Sequence, residues 1–125
     1  MKILLIDDSI AYRLAQIKVF SSLGITDIDE ANDGKEGIAM LKKNGFSYNL
    51  IMLDINMPVM SGRETLKIIR KINKTIPVIM CTSEAEKHLI LECISHGANN
   101  YLVKPVNKDD LTNKVLPIIE KSKTG

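Results

Sequence analysis

Five short apolar, β-branched runs punctuate the chain: KILLID (2–7), TDIDEA (26–31), NLIML (49–53), IPVIMC (76–81) and NYLV (100–103). Three of them are nearly continuous in apolar residues, the pattern of strands buried on both faces. Segments long enough for helices lie between them. Strands that alternate with helices predict a parallel α/β sheet. With 125 residues, the chain suits one domain. A domain of that size buries roughly two-thirds of its unfolded surface and needs no covalent staples.

The helix boundaries are written in capping chemistry. Ser9 can cap a first helix, and Gly24 follows Leu23 as its stop. Asp33 with Glu36, Ser61 with Glu64 and Ser83 with Glu86 all have the spacing of a capping box. Gly45 and Gly97 stand as stops, and Asn107 opens the last helix. Each cap oxygen satisfies an orphan amide, and a glycine supplies the left-handed turn. The spacing predicts helices over about 9–23, 34–44, 61–74, 84–96 and 107–116. One local conflict stands out. Pro117 falls inside the apolar pattern Leu111, Val115, Ile118, Ile119. A proline there removes a donor and clashes with the preceding turn, so the helix is expected to kink or stop near Leu116. The domain is expected over 1–120, with 121–125 (KSKTG) as a frayed tail.

Several function classes drop out. No apolar stretch approaches the ~20 residues of a membrane span. The first apolar run is short and lacks a small-residue cleavage site, so the chain reads as cytoplasmic. A net charge of +2 is too small to argue for nucleic acid. Lys67, Arg70, Lys71 and Lys74 read as one solvated helix face. Cys81 and Cys93 lack metal-ligand spacing and read as buried free thiols. Met52, Met57, Met60 and Met80 read as packing and loop residues. His88 and His96 read as surface residues of the fourth helix.

The polar residues that end the strands are more informative. Ligands of a parallel α/β sheet bind at the carboxyl ends of its strands. Asp7 and Asp8 end strand 1, Asp54 ends strand 3, Thr82 and Ser83 end strand 4, and Lys104 follows strand 5. Two carboxylates about 4 Å apart repel by roughly 4 kcal/mol at an effective dielectric near 20. Three together favour a bound cation. An all-oxygen ligand set without His or Cys suits a hard ion, Mg²⁺ or alternatively Mn²⁺. A carboxylate beside such an ion can attack a phosphoryl group and form an aspartyl-phosphate. Lys104 and the metal would neutralise the phosphoryl oxygens, and Thr82 would donate a hydroxyl.

At these residues the sequence resembles a response-regulator receiver domain, the CheY-like phosphoacceptor module of bacterial two-component signalling. The resemblance rests on Asp7-Asp8, on Asp54-x-x-Met57-Pro58-x-Met60-x-Gly62, on Thr82-Ser83 and on Tyr101-x-x-Lys104-Pro105. These motifs occur in order and span essentially the whole chain. The resemblance implies a flavodoxin-like, doubly wound sheet of five parallel strands in the order 2-1-3-4-5, the order known for CheY, with five helices. It implies that Asp54 is phosphorylated. Asp8, Asp54 and the backbone carbonyl of Asn56 would bind Mg²⁺ directly, with Asp7 acting through water. Lys104 would pair with the phosphoryl group. Thr82 would move toward it, and Tyr101 would turn into the space left behind. The Lys104–Pro105 bond would be cis, a state that only about 5–6% of X–Pro bonds adopt. Asn56 and Glu84, two residues past Asp54 and Thr82, would tune the phosphoryl lifetime toward fast self-dephosphorylation.

The function so implied is a phosphorelay switch rather than an enzyme, promoting only its own phosphorylation and dephosphorylation. A histidine kinase supplies the phosphoryl group, and the face of helix 4, strand 5 and helix 5 changes its partner binding. The resemblance implies a cytoplasmic monomer whose output is a downstream protein, a flagellar switch protein of chemotaxis being one option. A phosphorelay intermediate, or the receiver of a larger regulator, would use the same chemistry. A haloacid-dehalogenase-type phosphatase is the enzyme alternative. It wants its nucleophile after strand 1 and an acid two residues on, where this chain has Asp7 and then Ser9. A flavodoxin-like flavin carrier needs a neutral phosphate loop where DDSIAYR places two negative charges.

Overall fold

A computed structural model of the chain describes residues 1–44 and 47–124, with side chains as far as 121. Strands and helices alternate throughout. They are β1 (Lys2–Ile6), α1 (Ile10–Ser22), β2 (Asp27–Ala31), α2 (Gly34–Asn44), β3 (Leu50–Asp54), α3 (Gly62–Ile72) and β4 (Val78–Thr82). Next comes α4, a 3₁₀ stretch over Glu84–Leu89 that continues as an α-helix over Ile90–Ser95. β5 (Asn100–Val103) and α5 complete the described chain. α5 is α-helical over Lys108–Asp110, π-helical over Leu111–Val115 and α-helical again over Leu116–Thr124. The five strands form one parallel sheet in the order β2-β1-β3-β4-β5.

The sheet is covered on both sides because its central strands are apolar everywhere but at their ends. β3 and β4 are buried throughout, and β1 from Ile3 onward. Strand side chains alternate between faces. Leu4 and Ile6 therefore point to a core shared with Leu41 of α2, Leu66 and Ile69 of α3, and Cys93 of α4. Ile3 and Leu5 point the other way, to Phe20 of α1 and to Leu111, Val115 and Ile119 of α5. Both cysteines are free and buried. Met52, Met57 and Met80 lie in the core.

The expected caps form. Ser9, Asp33, Ser61 and Asn107 each accept a backbone N–H of their helix's first turn, and Ser83 with Glu86 closes a full capping box. Gly24 and Gly97 take φ of +79° and +105°, where a Cβ is costly. Gly45 lies outside the described residues.

Two readings of the sequence need correction. The first concerns Pro117. The last helix does not stop near Leu116 but runs to Thr124, so residues 121–124 carry helical backbone. The disturbance falls one turn earlier, where the Leu116 N–H reaches the Leu111 carbonyl in a π-type bond. A widened turn gives the proline ring the room that an α-turn denies it. Burial of Leu111, Val115 and Ile119 holds the helix on the sheet across the irregularity.

The second correction is Arg70, which is not part of a solvated face. Lys67, Lys71 and Lys74 are exposed, but Arg70 is half-buried. It donates to the carbonyls of Gly97, Asn73 and Ile76 and to Asn99 Oδ1. It thereby ties α3 to the strand starts of β4 and β5.

A candidate metal and phosphoryl site at the carboxyl edge

β1 and β3 are neighbours, with Ile6 opposite Leu53. This register sets Asp7 beside Asp54 at the carboxyl edge of the sheet. Asp8 is one residue further on. Oxygens of the three carboxylates lie within 4.8 Å of one another. Asp7 and Asp54 are buried and Asp8 is exposed, so the cluster opens to solvent on one side. Lys104 follows β5, and its side chain reaches across the end of β4. Its Nζ stands 3.0 Å from Asp7 Oδ2 and 3.1 Å from Asp54 Oδ1. The Lys104–Pro105 bond is cis.

The charges do not balance. Burial, and then the neighbouring Asp7, push the Asp54 carboxyl up from 3.8 to about 7, against the opposing pull of Lys104. Burial alone would lower the Lys104 ammonium. Asp54 and Asp7 outweigh it, and the net shift is upward. One ammonium thus serves three carboxylates.

A hard divalent cation suits this donor set. Octahedral Mg²⁺ at 2.0–2.1 Å from its ligands holds neighbouring and opposite oxygens about 2.9–4.2 Å apart. The spread of 4.8 Å is slightly wider, within reach of small side-chain rotations. The cluster can therefore hold a metal ion.

The backbone around the cluster is shaped to the same end. The Ser9 N–H donates to Asp7 Oδ1 at 2.8 Å. Arg13 donates to the Asp7 carbonyl and pairs with Glu30 at 2.9 Å. Gly62 packs so closely under β3 that a Cβ would stand 2.1 Å from the Asp54 carbonyl oxygen. The loop between them includes Val59 at a φ of 71°, a conformation costly for a β-branched residue.

A cleft of about 480 Å³ opens over the cluster, lined by Asp8, Asp54, Asn56, Lys104 and Glu86 among others. Asn56 is exposed there. Thr82 is fully buried at the end of β4, and its hydroxyl donates to the Ser83 carbonyl at 3.0 Å. Tyr101 is half-buried, with Lys114 Nζ 4.5 Å from its ring centre. Glu84 is not among the cleft residues. Its side chain is 79% exposed, 3.7 Å from Lys87. The acid that does line the cleft is Glu86, which accepts from the Ser83 hydroxyl at 2.9 Å.

Sequence reasoning missed Glu86 and also Tyr12, whose ring lies 4.0 Å from Lys104 Nζ. Both were legible as neighbours of recognised signals. Glu86 closes the Ser83 capping box, and Tyr12 sits in the first turn of the helix that follows Asp8. A larger hollow, about 630 Å³, lies at the opposite edge between α3 and the end of α4. Its lining includes Lys67, Lys71 and Lys74 but no carboxylate. Asp8, Asp54 and Lys104 line the smaller cleft.

This fold and this carboxylate–lysine edge define a receiver. The chain belongs to the response regulator receiver domain family, whose model matches residues 3–116, a family of signalling proteins. It is 38% identical to chemotaxis protein CheY-3 of Vibrio cholerae, over 97% of this chain and 93% of that one. Among solved structures it resembles CheY4 of Vibrio cholerae, with a TM-score of 0.81, 33% identity and coverage of 94% and 97%. It also resembles the CheX–CheY–BeF₃–Mg²⁺ complex of Borrelia burgdorferi, with a TM-score of 0.88, 30% identity and coverage of 94% and 88%.

Proposed function

We propose that this chain is a phosphoacceptor switch that takes a phosphoryl group onto Asp54 from a histidine kinase in the cytoplasm. The observation that carries this reading is the Lys104 ammonium, 3.0–3.1 Å from Asp7 and Asp54 within a cluster of three carboxylates. Such an arrangement costs stability unless it is used. Asp8, Asp54 and the Asn56 carbonyl would hold Mg²⁺, or Mn²⁺ in its place, with Asp7 acting through water. When bound, the ion supplies neutralisation of the phosphoryl oxygens.

The chain's own residues do the rest. Asp54 must be ionised to attack. Its carboxyl sits near 7 in the metal-free protein, so added positive charge in the cleft favours the nucleophilic form. A carboxylate oxygen attacks phosphorus and the P–N bond of a phosphohistidine breaks. The imidazole leaves with the bonding pair and takes up a proton. Lys104 then pairs with the new phosphoryl oxygens. Water attacking phosphorus reverses the modification, releasing inorganic phosphate and restoring the carboxylate. Asn56 and Glu84 would set the rate of that step.

The readout is a population shift. The Thr82 hydroxyl, now spent on the Ser83 carbonyl, would turn to the phosphoryl group, and half-buried Tyr101 would follow inward. The surface of α4, β5 and α5 would change with them. Leu91 and Ile94 of α4 are 83% and 41% exposed, which suits a protein target. The chemotaxis proteins among the relatives favour a target of the flagellar-switch or CheX kind. The haloacid-dehalogenase alternative finds no support, because the residue two past Asp54 is Asn56.

Intact-mass analysis with Mg²⁺ and acetyl phosphate tests the reading. One phosphoryl adduct on the wild type, absent from Asp54→Asn and without Mg²⁺, is expected. No adduct and no Asp54-dependent phosphate release would refute it.

A further inference from the structure

Lys104 has three close neighbours, and the proposed reaction changes two of them. Asp54 loses its free carboxylate when it is esterified. Asp7 belongs to the acidic group that would face the metal. The third neighbour is the ring of Tyr12, 4.0 Å from Nζ, which carries no charge and takes no part in bond making.

A lysine ammonium on a flexible four-carbon stem is easily drawn into water. Here the lysine must span the end of a neighbouring strand to reach its carboxylates. Asp7 and Asp54 hold it there before phosphoryl transfer and the phosphoryl oxygens after it, and the ring is a third, uncharged holder present throughout. An aromatic face within ~6 Å of an ammonium supplies such an attraction.

The placement of Tyr12 is not accidental packing. It belongs to neither apolar core and is 41% exposed. Its backbone is nevertheless pinned on both sides. Its N–H donates to Ser9 Oγ at 3.3 Å, and its carbonyl accepts from Gln16 Nε2 at 3.3 Å. These bonds fix the Tyr12 backbone in the first turn of α1, from which its side chain lines the cleft. If the ring were only a surface cover, an aliphatic side chain of similar size would serve equally well.

We infer that Tyr12 is a positioning residue, whose ring holds the Lys104 ammonium in the cleft before and after Asp54 is modified. This rests on the phosphoacceptor reading for its consequence, but the contact itself is testable without it.

The experiment compares wild type, Tyr12→Phe and Tyr12→Leu as full chains, with Tyr12→Gln as a second ringless variant should the leucine form fold poorly. The first readout is acylation of each lysine by an amine-reactive ester in metal-free buffer, mapped by peptide mass. Labelling of Lys104, relative to the other lysines, should rise roughly 3- to 30-fold in the ringless variants, the range for ring–ammonium contacts from exposed to desolvated sites. The phenylalanine form should label as wild type. The second readout is the rate of adduct formation with Mg²⁺ and acetyl phosphate. It should fall by a similar factor without the ring and recover with phenylalanine.

Unchanged Lys104 labelling in the ringless variants overturns the contact. Increased labelling with an unchanged adduct rate overturns the positioning role and leaves a ring–ammonium contact that phosphoryl transfer does not use. If wild type forms no adduct and shows no Asp54-dependent phosphate release, the phosphoacceptor reading fails and takes the role of Tyr12 in it along. The labelling result then still decides whether the ring holds the lysine.

Discussion

At the amino edge of the sheet, Arg70 donates to three carbonyls and the Asn99 amide oxygen. Asn99 Oδ1 also accepts the Val78 N–H, and Asn73 Oδ1 accepts those of Thr75 and Ile76. Gly97, whose φ of +105° disfavours a Cβ, also leaves room for the Arg70 side chain. Nearby, the Tyr48 hydroxyl donates to Asp29 at 2.6 Å. At the carboxyl edge, one ammonium pairs with two of three clustered carboxylates, and Asp54 is pushed up to about 7. One edge uses its polar groups to close loops onto strands. The other holds an excess of negative charge that the fold does not neutralise. The lesson is that charge works for folding at one end of these strands and against it at the other, where only a ligand can make use of it.

Removing charge should therefore have opposite effects at the two edges. Arg70→Leu should be the largest change, a loss of about 2–4 kcal/mol, because several carbonyls lose their donor at once. Urea unfolding measures it, and adduct formation on the folded fraction should be unchanged. A small loss would break the comparison.

Asp54→Asn should act in the other direction. Its folded-state pKa, about 7, lies above the ordinary value of 3.8. A raised carboxyl contributes stability below the unfolded pKa and loses it as pH rises through the folded one. Wild type in chelator should weaken between about pH 4 and 7, and the asparagine form should not. The gain at pH 8 should be about 1–3 kcal/mol, discounted for the loss of the Lys104 pairing. Thermal unfolding against pH measures it. Equal pH slopes would contradict the charge excess.

Tyr48→Phe should give the smallest effect, a loss of about 1 kcal/mol with no change in adduct rate. It sharpens the comparison by removing one hydroxyl, which donates to Asp29 and accepts from Asn44.

Much of this contrast was legible in the sequence, and the illegible parts share a cause. β1, β3 and β4 were readable because continuous apolar runs have few other uses. The helix starts were readable because capping is local. Asp7, Asp8, Asp54 and Lys104 were readable because strand ends of a parallel sheet meet at one edge. Arg70 was misread because its partners lie in other elements, up to 29 residues away, and periodicity carries no information on them. The irregularity expected near Leu116 is present, but the stop is not, because burial of Leu111, Val115 and Ile119 on the sheet outweighed a local backbone preference. Glu86 was missed as a cleft residue because capping spacing marks it only as a helix start, whereas the 3₁₀ turn brings its side chain to the cleft.

The central claim is that the charge excess at the carboxyl edge exists to take a phosphoryl group on Asp54. Borohydride reduction tests it most directly, because it converts an acyl phosphate to the corresponding alcohol. Wild type would be treated with Mg²⁺ and acetyl phosphate, reduced at once, digested and mapped by peptide mass. The account predicts homoserine at position 54 and at no other aspartate. Reduction at another residue, or none while phosphate is released independently of Asp54, would contradict it.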